Sequence, residues 1–146
     1  MQKKDAFDLH LFLPYLLNQA AEASSLKFQR AYKDRYGILR TEWRVLFHLG
    51  IYGRMNAKEI GLRARIHKTK ISRAVQKLEQ RRFLTRDTDT TDRRLEWLTL
   101  TPQGRAAYDD LRALAQSYDS ELSAALGPGE AAALRQALQK LADMAE

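Results

Sequence analysis

Between residues 68 and 77 the chain concentrates side chains that can recognise a polyanion: Lys68, Thr69, Lys70, Ser72, Arg73, Gln76 and Lys77. Ile71, Val75 and Leu78 recur among them at helical spacing, so a helix that buries those three turns the polar set outward. A face of cations, hydroxyls and an amide suits a helix lying in a DNA major groove. There arginine pairs bidentately with guanine, glutamine with adenine, and serine, threonine and lysine with phosphates. A merely solvated helix usually intersperses acids among its bases, and here only Glu79 stands nearby. The other reading of the same residues is an ordinary solvated basic face. A second cluster, Asp92-Arg93-Arg94, ends a polar run between two short apolar segments, at the expected tip of a hairpin. A narrow minor groove attracts an inserted arginine, and a neighbouring carboxylate can restrain that arginine beforehand. The alternative is an exposed ion pair worth about 0–1 kcal/mol.

Other chemistries find little support. The chain has no cysteine, which removes disulfides, thiolate metal sites and thiol oxidation. His10, His48 and His67 are far apart and form no H-x-x-H or H-E-x-x-H pattern, so no metal site is expected. No nucleophile with a positioned base, no glycine-rich phosphate loop and no catalytic carboxylate pair can be picked out. Asp87, Asp89 and Asp92 fall in a turn better suited to holding arginines than a metal. Neither an enzyme nor a cofactor is expected. No apolar run approaches the roughly 20 residues needed to cross a bilayer. The N-terminus MQKKDAFDLHLF has acids close behind its lysines and no small-residue cleavage site, so a soluble cytoplasmic protein without membrane association is expected.

These residues must be carried by a scaffold, and 146 residues with 45% apolar content allow one domain with a sizeable core. Charge divides the chain into regions. Residues 54–105 hold 14 lysines and arginines against 6 acids, whereas residues 106–146 hold 3 against 7. A first long helix is predicted from Phe12 to Tyr36, with Pro14 in its first turn and Gly37 as a C-terminal cap. A second is predicted from a Thr41 cap to Gly50, and a third from an Asn56–Glu59 capping box to about Ala64. The fourth should cover Lys68 to Arg81. Short strands are predicted at Phe83–Arg86 and around Leu95–Leu100, with Asp87–Arg93 as the turn. Thr101 and Pro102 open a fifth helix, with Tyr108, Leu111, Ala115, Tyr118, Leu122 and Ala125 as a coiled-coil-like seam. The segment Gly127–Gly129 stops it, and a last helix carries Leu134, Leu138 and Leu141. The apolar faces of the first and fifth helices exceed what a small domain needs, which points to a partner chain or to packing of those faces on each other.

Three segments together carry a resemblance. TEWRVLFHL (41–49), AKEIGLRARIHKTKISRAVQKLEQRRFLTR (57–86) and DTTDRRLEWLTLTPQG (89–104) resemble, in order, the MarR family of winged helix-turn-helix transcriptional regulators. The implied fold is mainly α with a small β-hairpin. A winged helix-turn-helix region at 37–101 is flanked by dimerisation helices at 1–36 and 102–146 within one structural unit. The resemblance implies a homodimer on double-stranded, pseudo-palindromic operator DNA, with half-sites about one helical turn apart. It implies that Lys68, Thr69, Lys70, Ser72, Arg73, Gln76 and Lys77 contact DNA together with Asp92, Arg93 and Arg94. Asp92 matches the acid of the family's Asp-X-Arg wing pattern and Arg94 its groove-entering cation. Arg82 stands where a glycine often follows the recognition helix, and offers a further phosphate contact.

The resemblance also implies repression relieved by a small molecule, often an aromatic acid, phenolic compound or coenzyme A thioester, held between the dimerisation helices and the winged region. Candidate ligand residues are His10, Phe12 and Tyr15 with Trp43, Arg44 and Phe47: aromatic walls and one cation suit a planar anion. Each could equally be a core or ion-pairing residue. Lys27, Arg30, Lys33 and Arg35 could attract the phosphates of a thioester, or form a solvated face. The competing function is a nonspecific winged-helix architectural or protein-interaction module.

Overall fold

The computed structural model describes residues 6–144, so residues 1–5 and 145–146 of the two expected dimerisation regions lie outside the described residues. Asp8 caps a short 3-10 turn at Leu9–Leu11 by accepting from the His10 N–H at 3.0 Å. α1 follows over Leu13–Tyr36, with Pro14 in its first turn and Gly37 in the left-handed conformation at its end. α2 covers Arg40–Tyr52, α3 Ala57–Ala64 and α4 Lys68–Gln80. β1, Leu84–Thr88, and β2, Glu96–Leu100, form an antiparallel hairpin, and α5 (Pro102–Leu126) and α6 (Pro128–Asp143) complete the chain.

The boundaries of α2 differ from expectation at both ends. Thr41 lies inside the helix: Leu39 is the N-cap, its N–H satisfied by the Glu42 carboxylate at 3.1 Å, and the helix begins two residues earlier than a Thr41 cap would place it. Gly50 does not end α2 either; the helix continues to Tyr52 and stops at Gly53. Gly50 serves packing instead. A Cβ there would lie 2.5 Å from the Tyr108 ring, so the missing side chain lets α5 cross against α2. At α3, Asn56 accepts from the Glu59 N–H at 2.9 Å as expected. Its Nδ2, rather than its backbone N–H, donates to the Glu59 carboxylate. α4 ends one residue before the expected Arg81.

The hairpin is longer than its apolar pattern. Thr88 pairs with Glu96 and Asp87 with Trp97, so Arg86 sits mid-strand and the connecting turn shifts by two residues, from the expected 87–93 to 89–95. Backbone pairing in an exposed ribbon needs no apolar side chains, which is why alternation under-marks the strand. Similarly, only Gly127 separates α5 from α6. Pro128 is accommodated in the first turn of α6, and Gly129 is helical.

Ile38, Val45, Leu46, Leu49, Ile60, Ile71, Leu78, Leu84, Leu98 and Leu111 are almost wholly buried in one core beneath α2, α3, α4, the hairpin and the start of α5. Met55 adds a rung to the sheet: its N–H donates to the Leu98 carbonyl at 3.1 Å, and the Leu98 N–H returns at 2.8 Å. Thr101 caps α5 by accepting from the Gly104 N–H at 3.0 Å, while its own N–H donates to the Phe83 carbonyl at 3.0 Å. Gly104 is held so closely that a Cβ would approach the Phe83 oxygen to 1.9 Å. The wing is thereby fastened to the root of α5.

Candidate nucleic-acid interface

α4 is oriented by its apolar stripe. Ile71, Ala74, Val75 and Leu78 are buried, and Lys68, Thr69, Lys70, Ser72, Arg73, Gln76 and Lys77 are all exposed. The structure therefore brings the whole outward set of this helix onto one accessible face. His67 Nδ1 accepts from the Thr69 N–H at 3.2 Å and caps the helix. Arg65, at φ 56°, makes the turn into it. Its guanidinium also donates to the Ala142 carbonyl and, at 2.9 Å, to Asp143 at the end of α6. Glu79, the acid in α4, is engaged by Arg86 at 3.1 Å, and Arg86 lies 3.8 Å from Glu96. That pair ties the end of α4 to the hairpin and partly neutralises the Glu79 carboxylate.

At the wing tip, Asp92 accepts from the Arg94 N–H at 3.0 Å, from its Nε at 3.2 Å and from its Nη2 at 3.4 Å. The Arg94 side chain is nonetheless 92% exposed, so its guanidinium is restrained on one edge and open on the other. Arg93 is exposed beside it. A cleft lined by Lys58, Ser72 and Arg94 joins the wing to α3 and α4, placing the wing and α4 on one surface. Arg82 has φ 63°, a left-handed conformation that favours glycine, and both it and Arg81 are exposed in the α4–β1 turn.

Asp89 is a wing residue whose role sequence reasoning missed. Its Oδ1 accepts from the Trp97 indole N–H at 2.9 Å, and its Oδ2 from Asp92 N at 2.8 Å, Thr91 Oγ1 at 2.8 Å and Thr91 N at 3.1 Å. The Trp97 bond above all, then those from Asp92 and Thr91, hold its carboxyl well below the usual carboxylate range. The available signal was an Asp-X-Thr segment, which favours an Asx turn. Nothing in the spacing announces the indole.

The six candidate ligand residues fall into two groups that the chain does not bring together. His10 packs edge-on against Tyr15 at 5.9 Å, and Phe12 lies against Phe7 at 5.3 Å, all before or within the first turn of α1. Trp43 and Phe47 join a cluster with Phe28, Tyr32 and Tyr108, with ring centroids 5.1–6.2 Å apart. Tyr15 and Phe28 are separated along α1 by about 20 Å at the helical rise. Arg44 is part-buried and donates to the Ala64 carbonyl at 2.5 Å, closing the end of α3. Burial lowers its pKa. Phe28, Tyr32 and Arg40, not among the candidates, line a cleft of about 440 Å³ with Trp43, Ser25 and Gln29. Phe28 and Tyr32 stand four apart on the inner face of α1, a spacing that reads equally as core. Among the described residues no three histidine, aspartate or glutamate side chains gather as a metal site. No described helix is long and apolar enough to cross a membrane.

The MarR family profile matches residues 36–95, from the end of α1 through the wing arginines. A MarR family transcriptional regulator of Silicibacter pomeroyi, SPO1453, is 30% identical, with 96% of this chain and 98% of that one aligned and a TM-score of 0.78. The chain belongs to the MarR family. This MarR-family protein is accordingly a winged-helix transcriptional regulator and not an enzyme. Other relatives agree. The HTH-type transcriptional regulator YwaE of Bacillus subtilis is 26% identical over 127 residues, covering 87% of this chain and 74% of YwaE. BpsR of Bordetella bronchiseptica, whose DNA binding is regulated by 6-hydroxynicotinic acid, is 24% identical with a TM-score of 0.87 over 97% of this chain and all of that one. At that identity the likeness is one of fold.

Proposed function

We propose that this MarR-family regulator is a repressor that binds a pseudo-palindromic operator as a homodimer and is released by a small aromatic acid, phenolic compound or related thioester. The observation that carries DNA reading is the continuous surface formed by the outward face of α4 and the Arg94 wing. In this reading Arg73 and Gln76 address base edges in the major groove, while Lys68, Thr69, Lys70, Ser72 and Lys77 hold the phosphate backbone. Arg94, steadied by Asp92, enters the adjacent minor groove, and Arg93 meets phosphate or solvent. Dimerisation is supported by exposed apolar side chains at both ends of the chain, Leu11, Leu13 and Leu16 at one and Leu134, Leu138 and Leu141 at the other. Two-fold symmetry then sets half-sites about one helical turn apart.

The α1–α2 cleft supports the effector reading: Phe28, Tyr32 and Trp43 offer aromatic walls, and of the two charged residues on its lining, Glu22 and Arg40, Arg40 is the one that pairs with a planar carboxylate. The regulation of BpsR by 6-hydroxynicotinic acid is in keeping with that chemistry. Because His10, Phe12 and Tyr15 stand far from Trp43 within a chain, both groups can touch one ligand only if the N-terminal segment comes from the partner protomer. A coenzyme A thioester is less favoured, since Lys27 is engaged by Glu121 at 2.6 Å and Arg35 by Asp110 at 2.9 Å. The test is a gel-shift titration with the DNA upstream of the protein's own gene against random duplex. No preference at moderate salt would mean a nonspecific architectural module instead. A thermal-shift panel of aromatic acids and their thioesters identifies the effector class; a ligand at 100 times its Kd stabilises by about 2.7 kcal/mol.

A further inference from the structure

Arg94 is almost fully exposed, and an ion pair that water surrounds on one side does not by itself hold a long side chain in one place. Its orientation is defined only as well as that of Asp92. The Asp92 backbone is in turn held by Asp89, whose Oδ2 receives its N–H at 2.8 Å. The turn closes further through Asp89 N–H to the Leu95 carbonyl at 2.9 Å and Leu95 N–H to the Asp92 carbonyl at 3.0 Å. Asp89 is itself anchored to the protein body by the Trp97 indole N–H at 2.9 Å. Trp97 cannot drift. It precedes Leu98, which is buried and bonded in both directions to Met55, and the Arg54 guanidinium covers its ring at 5.0 Å.

We propose that Asp89 is the positioning residue of the wing. It carries the rigidity of β2 from the Trp97 indole through the Asp92 backbone to the Arg94 guanidinium, so that the wing reaches DNA already shaped for the minor groove. The chemistry fits this use. A carboxylate can accept four or so hydrogen bonds, and Asp89 accepts four: two from Thr91 and one from Asp92 within the turn, and one from Trp97 on the strand. A rigid turn removes conformational freedom that Arg94 would otherwise lose on binding. The inference rests on the reading of Arg94 as the minor-groove contact, and Asp89 need touch no DNA to matter.

The test measures discrimination between operator duplexes that differ only in A·T-rich or G·C-rich sequence beneath the wing, using the full-length dimer. Arg94→Ala is expected to abolish that discrimination, and Asp89→Ala to reduce it by about tenfold without touching preference at the positions read by α4. In the double variant operator affinity should be no lower than with Arg94→Ala alone, because Asp89 acts only through Arg94. Trp97→Phe keeps an aromatic side chain but removes the indole N–H together with the five-membered ring. It tests the same link from the strand side, with melting measured alongside, and should shift discrimination in the same direction as Asp89→Ala. Asp89→Ala and Trp97→Phe that keep full flank discrimination, while Arg94→Ala loses it, overturn the inference and leave the wing reading standing. An operator affinity in the double variant clearly below that of Arg94→Ala overturns it as well. Discrimination that survives Arg94→Ala overturns both.

Discussion

Arg93 and Arg94 are adjacent in sequence and differ in surroundings. Only Arg94 is bonded to Asp92 through backbone and guanidinium together, so Arg94→Ala should cost operator affinity about tenfold or more and Arg93→Ala a few-fold at most. Equal losses in a fluorescence-anisotropy titration, or the reverse order, would mean that the wing has been assigned to the wrong arginine. Arg82 is a second residue whose conformation matters more than its charge. Its left-handed backbone costs a non-glycine residue about 1 kcal/mol, partly offset by the greater freedom glycine has in the unfolded chain. Arg82→Gly is therefore expected to raise unfolding free energy by up to about 1 kcal/mol in a urea titration, while DNA binding weakens if the guanidinium meets phosphate. A loss of stability would contradict the backbone argument.

At the level of elements, two contacts decide how the wing and the long helices are joined. Gly104 has no room for a Cβ against the Phe83 carbonyl, so Gly104→Ala must push the root of α5 away from the β1 entry. A loss of about 3 kcal/mol is expected on chemical denaturation; an unchanged midpoint would show that the contact is not tight. Between α1 and α5, the Tyr36 hydroxyl donates to Asp110 at 2.5 Å, and Arg35 also reaches Asp110. Burial, then the Asp110 carboxylate, push the Tyr36 hydroxyl up to about 12, and the Tyr36 bond chiefly holds the Asp110 carboxyl low. A raised tyrosine pKa contributes stability that is complete below its unfolded value near 10 and is lost as pH rises towards 12. Stability should accordingly fall between about pH 10 and 12, and Tyr36→Phe should flatten that fall when melting is followed against pH. An equally steep fall in Tyr36→Phe would place the alkaline transition elsewhere. These contacts were not legible in sequence: Gly50 reads as a helix stop and Gly104 only as the last residue of the 89–104 segment, because what excludes a side chain is a neighbour far along the chain.

For the whole molecule, the exposed leucines of α6 and of the N-terminal segment predict self-association. Leu138→Glu should weaken the dimer by at least an order of magnitude in sedimentation analysis and lower operator affinity with it, since one winged region alone contacts one half-site. An unchanged dimer would move the interface off α6. The sequence by itself determined the helices, the order of the winged region and the outward set of α4. Each follows from local periodicity and capping, and burying Ile71, Val75 and Leu78 leaves the polar residues only one direction to face. The tertiary structure alone decided the rest. It separated His10, Phe12 and Tyr15 from Trp43 and Phe47, committed Arg44 to the end of α3, assembled Phe28, Tyr32 and Arg40 into the α1–α2 cleft, and joined Trp97 to Asp89. Those relations depend on how helices and strands cross in space, and a hydrogen bond or a ring contact between distant positions leaves no period in the chain for a reader to find.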